Sequence, residues 1–238
     1  MKKIIIGVFA LFLLFSFISC DFFVTSWGSG MQRDLNAALK KESTGDLAKL
    51  AKDPNYASDP KVAGSLLDAL SGKSEDEIKS LRPNEKEDIL ALAFTASIPM
   101  DAISEVLKAA ENGEEGSGEE LFYALIDSIT GFNTKVIQTI LSDTETQNTA
   151  SPDALAGASL ALVAQVLKRE SGNLTFDDLG DLFDENGNFD SNENISQKSK
   201  DDLDAVKAIY DLFESEDGKR SDENLTLFGQ SLNFGGDK

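Results

Sequence analysis

From residue 31 onward, apolar residues recur every three or four positions, the period of an amphipathic helix, and alternating β patterns are almost absent. Segment 31–42 carries Leu35, Ala38 and Leu39 at that spacing. Ser43 and Thr44 precede a second short helix with Leu47, Leu50 and Ala51. Asp59-Pro60 predicts an N-cap and first-turn proline opening a helix over 61–70. Ser74 and Glu77 have the spacing of a capping box, for a short helix ending near Leu81. Pro83 predicts a helix over 84–98, and Pro99 one over 99–111. Two further helices, 119–130 and 133–142, meet at Gly131. Segment 143–150 reads as a polar loop, and Ser151-Pro152-Asp153 opens the longest apolar helix, 154–168. A short helix over 173–183, a polar irregular stretch over 184–196 and an amphipathic helix over 198–214 follow. The last helix turns Leu203, Val206, Ile209, Tyr210 and Phe213 inward. One apolar stretch, 225–232, marks the tail.

The predicted fold is all-α, with about ten short helices in an irregular bundle or an α-solenoid-like array. Segments 89–98 and 154–167 are apolar around most of their circumference, which places them at the centre of the core. The stretch from Gly45 to Pro54, followed by Asp59 to Leu70, weakly resembles a HEAT-type helical hairpin. A fainter echo recurs 51 positions apart. Lys168-Arg169 with Asn173-Leu174-Thr175 returns as Lys219-Arg220 with Asn224-Leu225-Thr226, and Asp153-Ala154-Leu155 as Asp204-Ala205-Val206. A degenerate duplication and chance similarity both account for it.

The N-terminus has a different pattern. Lys2 and Lys3 precede an apolar run of about 15 residues, the layout of a secretory signal and too short for a membrane span of about 20 residues. Phe17-Ile18-Ser19-Cys20 resembles the lipobox of bacterial lipoproteins, with Phe17 where leucine is commonest, a looseness similar to spirochaete lipoproteins. The resemblance implies that Cys20 is lipidated and becomes the mature N-terminus. It also implies export and anchoring to the bacterial cell envelope, at the periplasmic face or the outer membrane. The expected organisation is a signal peptide over 1–19, a lipidated tether over 20–30 with a Gly28-Ser29-Gly30 joint, and a single helical domain over 31–238. A weak subdivision falls near 143–150.

Composition then narrows the chemistry. The chain of 238 residues has 42 acids against 22 bases, a net charge of −20, no histidine and one cysteine. Such acidity repels nucleic-acid phosphates, so no nucleic-acid partner is expected. Histidine bases, histidine metal sites, internal disulfides and thiolate clusters are excluded. Losing Lys2 and Lys3 with the signal leaves the exported part more acidic still. Anionic headgroups then repel the domain from the bilayer that its acyl chains hold.

Oxygen ligands alternate at Asp184, Asn186, Asn188 and Asp190, the spacing of a calcium loop. An EF-hand is excluded, since Phe189 replaces the required glycine and Ile195 the bidentate glutamate. The stretch reads either as a solvated turn or as a weak, non-standard calcium loop. Asp177, Asp178 and Asp181 read as a solvated acidic face. Ser58 and Lys61 have a Ser–Lys spacing interrupted by Pro60, which reads as accidental. Phe122, Tyr123, Phe132, Tyr210 and Phe213 fit core positions or the lining of an apolar pocket. No cofactor or catalytic residue is expected. The leading reading is a non-catalytic, membrane-anchored helical module that engages another envelope protein. The alternatives are a helical carrier of a small apolar ligand and a carboxylate-based hydrolase.

Overall fold

A computed structural model describes residues 35–97, 123–124, 126–172, 195–214, 220, 226–227 and 230–231. Its contacts separate Met1–Lys41 from Glu42–Lys238. In the first unit, 35–39 are helical, inside the predicted 31–42 segment, and Lys41 N–H closes the turn on the Ala38 carbonyl. All that follows concerns the second unit.

The fold is all-α, and local chemistry accounts for most helix starts. Helix α1 (Thr44–Lys52) begins at Ser43, whose hydroxyl accepts the Asp46 N–H. Helix α2 (Pro54–Ala57) begins at Asp53, whose carboxylate accepts the Asn55 N–H. Helix α3 (Pro60–Ser71) begins at Asp59, which accepts from both Lys61 and Val62. In each case a side-chain oxygen satisfies first-turn donors that have no intrahelical partner. The Ser74–Glu77 capping box is present on α4 (Glu75–Lys79). Helix α5 (Pro83–Ser97) follows, then α6 (Lys135–Leu141), α7 (Thr144–Thr149), α8 (Pro152–Glu170) and α9 (Gln197–Glu214). A minimal antiparallel pair, β1 (Thr226–Leu227) with β2 (Gln230–Ser231), lies in the predicted apolar tail.

Two departures from the sequence expectation stand out. Segment 143–150 is the helix α7 rather than a loop. Its residues are polar, so periodicity gives no signal. Asp143 supplies one instead, accepting the Thr146 N–H and hydroxyl while it binds Lys86 from α5. Helix α2 is the second departure, and Asp53-Pro54 repeats the Asp59-Pro60 start signal six residues earlier. The 51-residue echo is not matched by helix register. Asp153 lies in the first turn of α8, whereas Asp204 lies well inside α9.

The core is centred where the sequence placed it. Helices α5 and α8 form the largest contact of the described residues; Ile89, Leu90, Ala93 and Ala96 are buried on α5, and Leu155, Ala158 and Leu162 on α8. Gly157 permits the close approach, because a Cβ there would lie 3.3 Å from Phe94 Cβ. Ala164 packs with Ile126 and Ile129, and Val166 packs with Ile195 and Leu203. Helix α8 is apolar all round because it is covered on several sides. Helices α1 and α3 pack on each other and on α5, with α2 between them in sequence. On α9, Leu203, Ile209, Leu212 and Phe213 are buried, and Val206 and Tyr210 are half-buried.

Candidate functional site

Where α8 ends and α9 begins, the packing changes character. Glu170, the last residue of α8, is 3 % exposed. Its Oε1 accepts the Ser196 N–H at 3.1 Å, the Ser196 hydroxyl at 2.5 Å and the Ser199 hydroxyl at 2.6 Å. Arg169 donates to Ser199 Oγ and to Asp202 Oδ2, both at 2.8 Å. Asp202 is fully buried, and its other oxygen takes the Gln138 side-chain amide at 2.6 Å. A buried carboxylate is tolerated only when its oxygens are satisfied, and here both are.

Beside this seam lies an open cleft of about 360 Å³, lined by Asp68, Gly131, Phe132, Asn133, Gln165, Lys168, Arg169 and Lys198. Gln165 fixes its wall. Its carbonyl accepts the Phe132 N–H, and its amide donates to the Thr130 carbonyl and Ser97 Oγ. Asp68 accepts the Asn133 N–H at 2.6 Å, and Lys168 Nζ donates to the Ile126 and Asp127 carbonyls. Three cations and one carboxylate therefore surround the opening. The sequence reading missed this cleft. Lys168-Arg169 stands out in the sequence only as part of the repeat, since adjacent basic pairs also occur at 2–3, 40–41 and 219–220.

Several described carboxylates elsewhere in the unit are tied into the fold. Lys86, 1 % exposed, donates to Asp143 at 2.8 Å. Burial pushes the Asp143 carboxyl up, but the Lys86 ammonium and the Thr146 donors outweigh it and hold the group below its ordinary value. Arg82 holds Glu85 low through a 2.6 Å ion pair and its backbone N–H. Burial moves Asp88 the other way, above the ordinary range. Glu87 accepts from the Ser151 hydroxyl and N–H at the start of α8.

Of the residues singled out by sequence, Cys20, the calcium candidates Asp184, Asn186, Asn188 and Asp190, the acids Asp177, Asp178 and Asp181, and Phe122 lie outside the described residues. Ser58 and Lys61 line a second open cleft of about 420 Å³ with Asp59, Pro60, Ser128 and Thr130. At that point the Asp59 carboxylate between them accepts the Lys61 and Val62 N–H groups. Phe132 is buried, its N–H held by Gln165. Phe213 packs under the Arg220 guanidinium, 4.7 Å from the ring centre, while Arg220 donates to the Gln147 and Ala150 carbonyls. Tyr123 and Tyr210 are half-buried. Among the described residues, no group of three or more acids is arranged to hold a metal ion, and no helix is long and apolar enough to cross a membrane. No family model matches the chain, and neither the curated proteins nor the solved structures give a match.

Proposed function

We propose that the chain is an exported bacterial lipoprotein whose helical domain, tethered through Cys20, acts as a non-catalytic interaction module in the cell envelope. The observation that carries this reading is the position of the only cysteine, at the end of a basic and then apolar leader of signal-peptide length. Two or three acyl chains anchor a protein stably, since each buried CH₂ contributes about 0.8 kcal/mol. The domain's acidity keeps it off an anionic surface and favours partners with basic faces. The use of Asp143, Glu170, Asp202, Glu85 and Glu87 as caps and ion-pair partners is in keeping with a structural rather than a chemical role for these acids.

Expression in a bacterium with a lipoprotein pathway tests the anchor. The parent chain is expected in the detergent phase on phase separation, with a mass increased by acyl groups at Cys20. Cys20→Ala should move it to the aqueous phase. An unlipidated Cys20, or a Cys20→Ala chain that still partitions with detergent, overturns the reading.

A further inference from the structure

The chain carries nearly two acids for every base, yet the cleft between the 131–133 loop, the end of α8 and the first turn of α9 inverts that ratio. Its remaining hydrogen-bonding capacity is almost all of one kind. Lys198 is exposed and has no partner among the described residues. Lys168 gives two N–H bonds to the carbonyls of Ile126 and Asp127, which leaves a third ammonium proton. Arg169 makes two bonds, to Ser199 and Asp202, out of five donors. Asn133 Oδ1 already accepts the Lys135 N–H, so its NH₂ is the part left to offer. Gln165 is fully engaged on both ends. Among the lining side chains the one carboxylate is Asp68, one oxygen of which holds the Asn133 N–H. A Cβ at Gly131 would meet nothing within 4 Å, so the backbone there borders open space.

Unused donors on a fixed wall call for a ligand rich in acceptors. We propose that this cleft binds a small oxyanion, a carboxylate or a phosphate group, with Lys198 as the principal cation, Lys168 and Arg169 behind it, and the Asn133 amide as a neutral donor. Arg169 contributes less charge than its place suggests, because Asp202 is paired with it. Lys168 is flanked by the Asp127 carboxylate at 3.9 Å, but that group is 87 % exposed and well screened. The net attraction rests mainly on Lys198, and charge-assisted hydrogen bonds of this kind are the stronger ones. The site does not depend on the anchoring at Cys20, so a soluble chain would bind the anion equally.

The test is a titration of the detergent-solubilised, ¹⁵N-labelled full chain with sodium phosphate, and separately with sodium succinate, at ionic strength held constant with sodium chloride. Saturable amide shifts at 131–133 and 196–200 are expected, with a dissociation constant of about 1 mM or tighter. Saturation by phosphate alone assigns a phosphate group, and saturation by succinate a carboxylate. Lys198→Glu, at an exposed position, should leave the melting temperature unchanged and weaken binding about ten-fold or more. Lys198→Arg should retain binding. Shifts that grow linearly without saturation for both anions overturn the proposal, as does a Lys198→Glu chain that titrates like the parent.

Discussion

Helix α8 is held in two different ways along its length. Along its first two-thirds it packs on α5, with Leu155, Ala158 and Leu162 buried and Gly157 against Phe94, and the polar contacts are few: Ser151 on Glu87 and the Ser97 hydroxyl on the Ala161 carbonyl. At its last turn it meets α9 through Glu170, Arg169, Ser196, Ser199 and Asp202, with Gln138 of α6 completing the network. The first contact is decided by volume and the second by whether each donor finds its acceptor. Apolar packing stabilises in proportion to the area removed from water. A buried polar network contributes little net when complete and costs a great deal when broken. The α5–α8 contact should therefore carry most of the stability, and the α8–α9 seam most of the definition of how α9 docks.

The largest effect is expected at the apolar end. Leu162 is fully buried, and Leu162→Ala should cost about 2–5 kcal/mol through lost transfer energy and a residual cavity. Urea unfolding should show a lower midpoint with an unchanged slope. A loss below about 1 kcal/mol would mean that α5 and α8 close the gap by sliding, and that their contact is not a fixed one.

At the seam, the informative substitution is Asp202→Ala. It strips Arg169 and Gln138 of a shared acceptor. Breaking a fully buried ion pair costs about 3–5 kcal/mol. The Arg169 side chain is 23 % exposed and can turn to water, so the expected loss is about 2 kcal/mol. Replacing both partners, Arg169→Met with Asp202→Leu, should recover much of it, since no charge is then stranded. If the double variant is no better than Asp202→Ala in the same unfolding measurement, shape rather than charge decides the seam.

The same contrast explains what was legible in the sequence. Helices α5 and α8 announced themselves because residues apolar on every side have only one place to go. The caps at Asp59, Ser74 and Ser151 were legible because a short polar side chain before a helical run has a local mechanism. The seam was not legible. Asp202 sits in a helix whose acids Asp201, Asp204 and Asp211 are exposed, and nothing local tells a buried carboxylate from an exposed one. Helix α7 was missed for a related reason, since its support comes from Lys86, 57 residues away. The basic cleft brings Asp68, Asn133, Lys168 and Lys198 together from four separate stretches of chain, which periodicity within any one stretch does not reveal. Cys20 is the reverse case, a residue read wholly from sequence.

The Lys86–Asp143 pair joins the two regimes, an ion pair set into the apolar helix α5, and it makes the smallest and sharpest prediction. Lys86 and the Thr146 donors hold the Asp143 carboxyl below its ordinary value of 3.8 despite burial. A carboxyl whose folded value is depressed favours folding in its ionised form, so its contribution is complete above the ordinary value. It is lost as pH falls through the lower folded one. Glu85, also held low by Arg82, acts in the same direction. Asp88, raised by burial, acts in the opposite one and favours the folded state as it gains a proton. Urea unfolding followed from about pH 6 down to about pH 2 should therefore show falling stability at the acid end. Asp143→Asn should start lower at neutral pH and lose less on acidification, because the group that titrates is gone. An acid limb of the same steepness in Asp143→Asn would show that Lys86 is not held by this carboxylate, and that α7 is fixed to α5 by packing alone.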